Sequence, residues 1–446
     1  MSQAGLAVSV IGTGYLGATQ AACLADMGYD VVGFDVNPDK VARLQAGDLP
    51  FYEPGLPEVL HRGLESGLLR FTTDPDEVAS HGDVHFLCVG TPQKPGSLAA
   101  DLTQVNGAID MLAPRLKRPC VVVGKSTVPV GTAARLRAQL RASSPAGQDV
   151  DLAWSPEFLR EGHAVADTVK PDRIVFGVAE TGGPSEKALR VVHEPMLAAG
   201  IPLLVTDLAT AELVKTAANA FLATKISFIN AMAELCEAAG ADIVDLSLAL
   251  GQDPRIGNRF LQAGLGFGGG CLPKDIRAFM ARAGELGVDQ ALTFLREVDE
   301  INMRRRIRAV DISRQMLGGS FIGRVVAVLG AAFKPESDDI RDSPALNVAA
   351  QMQLQGAQVR VFDPRAMANA AALFPSLNYT IDVTAALSGA HLVLLATEWD
   401  EFRALDPSHV ATLMAERRLL DTRNVLNLDQ WRGAGFEVRA LGRSIR

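Results

Sequence analysis

The sequence predicts an α/β protein in which two Rossmann-like parallel-sheet domains are joined by a central helical domain with a long spine helix. Three observations carry that expectation. Short apolar runs alternate with helical stretches at both ends of the chain, the pattern that parallel sheets impose. The two ends echo each other: Gly28 leads to Val31-Val32-Gly33-Phe34-Asp35, and Gly356 leads to Val359-Arg360-Val361-Phe362-Asp363 at the same spacing. Between them, the stretch after Asp207 runs to Ala239 without Gly or Pro, enough for about 50 Å of helix.

Taken in order, Val8-Ser9-Val10-Ile11 reads as a buried strand that turns at Gly12, and a helix follows until Gly28. Further strands of the first parallel sheet are expected at Val84 to Val89, Cys120 to Gly124, Leu152 to Trp154, Ile174 to Val178 and Leu203 to Val205. Asp207 suits the cap of the spine helix, and a second long helix is expected from about Gln290 to Leu317. Val326-Ala327-Val328-Leu329-Gly330 then opens the second sheet, with a helix from Pro344 to Gln355 and strands at Leu392 to Ala396 and Leu419 to Asp421. The expected domains are 1–205, 206–318 and 319–446. Helices as long as the central pair often form the interface of an oligomer.

A chain of 446 residues is too long for one ordinary core, in line with two or three domains. A net charge of −8 gives no electrostatic footprint for nucleic acid. No apolar run approaches the ~20 residues that span a bilayer, and the first residues do not read as a signal segment. Neither nucleic acid nor membrane is therefore expected as a partner. The five cysteines, Cys23, Cys88, Cys120, Cys236 and Cys271, are odd in number and scattered. They show neither a disulfide framework nor a zinc spacing, so no metal is expected and a reducing cytoplasm is the natural compartment.

Gly12-Thr13-Gly14-Tyr15-Leu16-Gly17 directly follows a strand and opens a helix. In that context the glycines permit a tight turn and close approach of a pyrophosphate to the helix N-terminus. Asp35 ends the next strand, where a carboxylate binds ribose hydroxyls and repels a 2′-phosphate, favouring NAD over NADP. Lys40 lies close enough in sequence to weaken that preference. The second sheet has Gly330-Ala331-Ala332-Phe333-Lys334-Pro335 at the matching turn. Lacking the glycine fingerprint, it suits a nucleotide other than NAD, with Lys334 and Arg341 adding positive charge.

The candidate chemistry centres on Gly264-Leu265-Gly266-Phe267-Gly268-Gly269-Gly270-Cys271-Leu272-Pro273-Lys274-Asp275. A cysteine between a flexible glycine loop and a helix N-terminus, near Lys274, should be a reactive thiolate rather than packing. The other four cysteines read as small core residues. Lys215 and Asn219 lie one turn apart on the spine helix and could stabilise an oxyanion, though a solvated Lys beside a polar Asn fits the same letters. Glu212 and Lys225 of that helix carry no independent signal. Lys125 to Pro129 and Ser155 to Gly162 leave strands at one edge of the first sheet. They bring hydroxyls and carboxylates that can handle water and protons.

Gly12 to Gly17, Gly90-Thr91-Pro92, Lys125 to Pro129, Ser155 to Gly162, Lys215 to Asn219, Gly266 to Asp275 and Phe333 to Ser343 together resemble the UDP-glucose/GDP-mannose dehydrogenase family across essentially the whole chain. Asp253 to Asn258, Phe260 to Ala263 and Pro171 to Val175 are similar to its UDP-glucose branch. The resemblance implies NAD-dependent four-electron oxidation of the sugar C6 alcohol of UDP-glucose to a carboxylate, through a thiohemiacetal and a thioester on Cys271. It implies that Lys215 and Asn219 stabilise oxyanions, that Asp275 and Thr127 hold water and that Glu157 accepts a proton. Implied cofactor contacts are Gly12, Gly14, Tyr15, Leu16, Gly17, Asp35, Lys40, Thr91, Thr127, Glu161, Lys274 and Arg341. Implied substrate contacts are Glu157, Phe158, Leu159, Lys215, Asn219, Phe260, Leu261, Gln262, Phe267, Gly268, Phe333, Lys334 and Arg423. Arg255 corresponds to an arginine that family dimers donate to the neighbouring sugar site. Two positions depart from the family pattern: Gly270 stands where Ser is common, and Gln262 where some members have Lys.

Three other readings fit parts of this pattern. GDP-mannose or another nucleotide sugar could replace UDP-glucose, because the discriminating contacts are few. A β-hydroxyacid dehydrogenase would explain the first sheet and the Lys215/Asn219 pair but needs neither Cys271 nor a second sheet. A non-catalytic sensor of NAD or nucleotide sugar would have little reason to keep Cys271, Lys215, Asn219, Glu157 and Asp275 together.

Overall fold

The computed structural model describes residues 6–444. They form two compact units. One contains the chain up to Ala218 together with Arg277–Leu286, and the other contains Asn219–Ile276 and the chain from Gly287 onward.

In the first unit, β1 (Ala7–Ile11) feeds α1 (Tyr15–Asp26), and β2 (Asp30–Phe34), β3 (Leu69–Thr72), β4 (Val84–Leu87) and β5 (Cys120–Gly124) follow. After α2 (Thr132–Ser143) come β6 (Val150–Trp154), β7 (Ile174–Gly177) and β8 (Leu203–Thr206). The sheet order is β3-β2-β1-β4-β5-β6-β7-β8, so the chain changes direction of winding between β1 and β4, where open α/β sheets bind ligands. The central strands are buried because helices cover both faces: all five residues of β5 and of β6 are buried. One expectation is corrected. The sheet is parallel except where β7 lies antiparallel to β6, through Trp154 and Gly177. Gly177 is needed there, since a Cβ would lie 2.4 Å from Ala211 Cβ.

The long helix α3 (Leu208–Ala239) begins at Asp207, whose carboxylate accepts from the Thr210 N–H at 2.9 Å. Its first residues belong to the first unit and those from Asn219 to the second. The second unit continues with the N-terminal end of α4 (Leu272–Glu285) and with α5 (Phe294–Met316). The latter starts later than expected, because Asp289–Leu292 forms a separate 3₁₀ turn.

The second sheet consists of β9 (Val325–Leu329), β10 (Gln358–Phe362), β11 (Asn378–Tyr379), β12 (Leu392–Leu395), β13 (Arg418–Asp421) and β14 (Glu437–Ala440). Its order is β11-β10-β9-β12-β13-β14, parallel throughout. α6 (Pro344–Leu354) follows β9 and is capped by Ser343, whose hydroxyl accepts from the Leu346 N–H. The echo read in the sequence extends to single hydrogen bonds. The Gly12 N–H donates to Phe34 O at 2.8 Å, and the Gly330 N–H donates to Phe362 O at 2.8 Å.

Candidate active site

In the first unit the glycine turn has little latitude. Gly12 has φ +87°, and a Cβ on Gly17 would lie 1.8 Å from the Gly12 carbonyl oxygen. A side chain at either position would push α1 off the turn. Gly14 is different: a Cβ there meets nothing within 4 Å, and as N-cap it gives α1 no side-chain hydrogen bond. The first-turn N–H groups, beside the half-buried Tyr15 and Leu16, therefore face open space, as a bound pyrophosphate requires.

Asp35 is buried at the end of β2. Its carboxylate accepts from Thr13 N at 3.0 Å and Asn37 N at 3.1 Å, and pairs with Lys40 Nζ at 2.7 Å. Burial opposes its charge, but Lys40 and these N–H groups hold its pKa below the usual carboxylate range. Lys40 thus serves Asp35 itself. Thr91 is buried in the loop after β4.

The two loops beyond β5 and β6 meet at a buried charged cluster. Lys215 Nζ lies 3.2 Å from Glu157 Oε1, and Glu157 also accepts from the Leu159 N–H at 2.7 Å. Phe158 receives Arg173 on its ring face at 3.8 Å, with Lys215 Nζ at 5.5 Å from the ring centroid. Lys125 is buried nearby. Burial pulls its pKa down, Glu157 opposes that shift and Lys215 reinforces it. A lysine poised this way releases its proton more readily than a solvated one. Thr127 is partly exposed on the same loop.

Two carboxylates to which the sequence reading gave no role position these loops. Glu53, almost fully buried, accepts from Gly162 N at 2.6 Å and Ala164 N at 2.7 Å, and also from the Tyr15 hydroxyl. It ties the Glu157–Glu161 segment to the glycine fingerprint and, after burial itself, is the main cause of a raised Tyr15 pKa. Glu212 on α3 accepts from Gly131 N at 2.7 Å and Ala133 N at 2.6 Å. It caps α2 and closes the Lys125–Pro129 loop. Burial raises its pKa to about 7 against those donors. The sequence reading gave Glu212 no signal, and the structure corrects that.

In the second unit Cys271 is exposed immediately before α4, whereas the other four cysteines are buried. Burial pushes the thiols of Cys23 and Cys88 up to about 12 and that of Cys120 to about 11, which keeps them inert. The Asp275 N–H closes the first turn on Cys271 O at 3.0 Å. Asp275 is buried; one oxygen accepts from Asn219 Nδ2 at 2.7 Å and the other from Lys274 Nζ at 2.5 Å. Lys274 is thus engaged by Asp275. Lys215 and Asn219 are both largely buried, against the solvated alternative.

The glycine loop is not flexible in the sense its composition suggests. Gly266 has φ +93°, and a Cβ on it would lie 2.1 Å from Asn302 Oδ1. A Cβ on Gly268 would lie 2.4 Å from Asp342 O, on Gly269 2.8 Å from the Phe333 ring, and on Gly270 2.1 Å from the Arg341 guanidinium. Close approach dictates Gly266, Gly268 and Gly269, whereas at Gly270 the neighbour is the end of an exposed arginine side chain. The departure at Gly270 fits Arg341, whose guanidinium fills the place a serine side chain would take.

The remaining predicted residues lie around this loop or on the surface. Leu261 and Phe267 are buried, while Phe260 (φ 64°) and Gln262 are exposed. Phe333 and Lys334 are half-buried, with Lys334 Nζ 5.5 Å from the Phe333 ring. Arg423 donates to Ala396 O at 2.7 Å and Phe333 O at 3.3 Å. It is aimed by Asp421, whose carboxylate gathers the N–H groups of Arg423, Asn424, Val425 and Leu426. Arg255 is exposed and pairs with Asp253 at 2.6 Å.

A glycine-turn sheet with an acid after its second strand, a second sheet of the same order, and an exposed cysteine at a helix start define a nucleotide-sugar dehydrogenase. Models of the UDP-glucose/GDP-mannose dehydrogenase family match three consecutive stretches: its NAD binding domain at residues 6–197, its central domain at 209–304 and its UDP binding domain at 327–428. The chain belongs to this family, and its cofactor is NAD. A UDP-glucose 6-dehydrogenase from Rhizobium meliloti is 40% identical over 98% of this chain and 99% of its own. A UDP-glucose dehydrogenase structure from Pyrobaculum islandicum superposes with a TM-score of 0.88 at 40% identity, over 98% of this chain and 96% of that one. A UDP-D-ManNAc dehydrogenase from Pyrococcus horikoshii reaches a TM-score of 0.85 at 26% identity, over 98% and 99%.

Proposed function

We propose that the protein oxidises the C6 alcohol of UDP-glucose to the carboxylate of UDP-glucuronate, with Cys271 as nucleophile. The observation that supports it most is the setting of that cysteine. It alone of the five is exposed, at the start of α4, with Asp275 one turn along in the grip of Asn219 and Lys274. The assignment of UDP-glucose rests on the relatives that share 40% of their residues with this chain.

NAD, held by the Gly12–Gly17 turn and Asp35, supplies a hydride acceptor for each of two oxidation stages. The protein's residues do the rest. After the first stage the Cys271 sulfur adds to the C6 aldehyde carbon, and the carbonyl oxygen takes up a proton to give a thiohemiacetal. Lys215 by its charge and Asn219 by its N–H stabilise the oxygen as it becomes negative. The second stage leaves a thioester, which is activated towards water. Asp275 and Thr127 hold that water, Glu157 accepts its proton, and the carbon–sulfur bond breaks to restore the thiol. Alcohol, water and two NAD give carboxylate, two NADH and three protons.

In this reading the residues around the glycine loop, Phe333, Lys334 and Arg423 hold the nucleotide sugar. The protein works as a homodimer or larger assembly in the cytoplasm, where Cys271 stays reduced. Self-association is supported by Phe221, Phe228 and Leu235, which recur at heptad spacing on α3 and are each about half exposed or more. Such a stripe is what a second helix covers. Arg255, 87% exposed at its side chain, is the residue that would enter a neighbouring subunit's sugar site.

Counting NADH per mole of limiting UDP-glucose tests the assignment. Two are expected, and Cys271→Ala should stop short of UDP-glucuronate. One NADH per sugar, reduction of NAD with GDP-mannose instead, or binding without turnover would each overturn it.

A further inference from the structure

Residues 264–269 run through the interior of the second unit without regular structure. Buried peptide groups there need partners, and side chains of two helices supply them. Asn230 Oδ1 on α3 accepts from Gly264 N at 2.8 Å, and Arg305 Nε on α5 donates to Gly264 O at 3.2 Å. Asn302 grips one residue at both ends: its Oδ1 accepts from Phe267 N at 2.7 Å, and its Nδ2 donates to Phe267 O at 3.0 Å. Arg306 adds a bond to Phe267 O at 3.3 Å and pairs with Asp342 at 2.9 Å. Asn230, Asn302, Arg305 and Arg306 are all essentially inaccessible to solvent.

We propose that Asn302, supported by Arg306, is a positioning residue for the reaction: it sets the Phe267–Gly268 peptide and so the path of the chain into Cys271. A carboxamide presents a donor and an acceptor in one plane, as a peptide does, and can pair with both groups of a single residue. Arg306 joins the same carbonyl to Asp342, the residue whose own carbonyl faces Gly268. Phe267 is thus held from α5, while Gly268 to Gly270 are packed against the segment 339–342 and Phe333.

The inference rests on the proposed function for its kinetic arm and is independent of it for its chemical arm. Asn302→Leu keeps the branching and the number of heavy atoms and removes both bonds. Asn302→Asp keeps the acceptor for Phe267 N–H and sets an oxygen against Phe267 O. Arg306→Lys, a milder change, keeps the charge and loses the fork. In the full-length enzyme both Asn302 variants should raise KM for UDP-glucose roughly tenfold or more, as Phe267 and Gly268 lose their place, and leave KM for NAD within about twofold. Arg306→Lys should show the same pattern, smaller. Alkylation of Cys271 by iodoacetamide should shift about fivefold or more in rate in the Asn302 variants; the other four cysteines are buried and do not interfere. Variants that lose Tm but keep both KM values and the alkylation rate would make Asn302 merely structural and overturn the proposal. Should the wild-type protein fail to oxidise UDP-glucose, the functional reading falls, and the alkylation rate still decides whether Asn302 positions the loop.

Discussion

The two sheets of this protein share one blueprint and put it to different uses. In both, a strand ends at a glycine with positive φ, whose N–H returns to the end of the neighbouring strand, and an aspartate closes that strand. The difference begins directly after the glycine. In the first unit α1 starts at Tyr15, so the turn is nothing but glycine fingerprint and helix N-terminus. In the second, α6 waits until Pro344, and the intervening segment carries Phe333, Lys334 and Arg341. The aspartates diverge accordingly. Asp35 is held by the Thr13 and Asn37 N–H groups and by Lys40 beside a helix terminus that no side chain caps, whereas Asp363 gathers the Ala331, Ala332, Arg365 and Ala366 N–H groups and the Trp399 ring N–H. One sheet offers bare backbone to a ligand; the other has replaced it with side chains.

The comparison can be broken most severely at its glycines. Gly17→Ala drives a methyl into the Gly12 carbonyl, and an unrelieved backbone clash of this kind costs several kcal/mol, on the order of ~3 or more. NAD binding should vanish and the melting temperature of the first unit should drop. Gly330→Ala, with φ +114° and Thr397 in the way, should instead weaken UDP binding while NAD still binds. If Gly330→Ala weakened NAD binding as much as Gly17→Ala, the division of labour would be wrong.

The aspartates give a finer test. Asp35→Asn should raise KM for NAD by about tenfold, the worth of a charge-assisted hydrogen bond, and should also lower Tm, since it gives up the Lys40 ion pair and sets an N–H against that of Thr13 or Asn37. Asp363→Asn should act on stability alone. It turns N–H against N–H in a buried cluster and should lower stability by roughly 2–3 kcal/mol, leaving KM for NAD alone. Titration calorimetry with NAD and a melting curve for each variant separate the two.

The smallest effect concerns the carboxylates that secure loops in each unit, Glu212 and Asp421. Burial raises both pKa values, so the folded state holds their protons more tightly than the unfolded chain. Their contribution to stability is therefore complete in acid and declines as pH rises. For Glu212 the decline spans from the ordinary value near 4.5 to about 7. Glu212→Gln should flatten the dependence of Tm on pH across that window, at the cost of one hydrogen bond to the start of α2. An unchanged pH profile would show that Glu212 does not titrate there.

Much of this was legible in the sequence, and what was not has physical reasons. The strands β1, β2, β5 and β9 stand out because burial on both faces makes them continuous apolar runs. The edge strands β3, β11 and β14 do not, since Leu69–Thr72 and Glu437–Ala440 alternate polar and apolar residues like any half-buried loop. Strand direction is invisible to such patterns, so the antiparallel pairing of β6 and β7 went unseen. The glycine fingerprint and Cys271 are local features and could be read locally. The residues that aim them are distant in sequence: Glu53 for the Gly162 segment, Glu212 for the Thr127 loop, Asn302 for Phe267. Met303-Arg304-Arg305-Arg306 looks like a solvated face. The signal that could have found it is spacing. Leu295, Val298, Asn302, Arg305, Ala309, Ile312 and Met316 form one buried helical stripe, and a polar pair inside such a stripe must have something to hold.

A run such as Gly264–Gly270 would, by composition, be the first place for a protease to nick the chain. Cleavage needs a segment that can detach and extend into the enzyme's cleft. Here Asn230, Asn302, Arg305 and Arg306 occupy the peptide groups such a segment would have to free. Resistance to digestion at that run therefore becomes a gauge of whether Cys271, the proposed nucleophile, is being presented correctly, readable on a gel without substrate or cofactor.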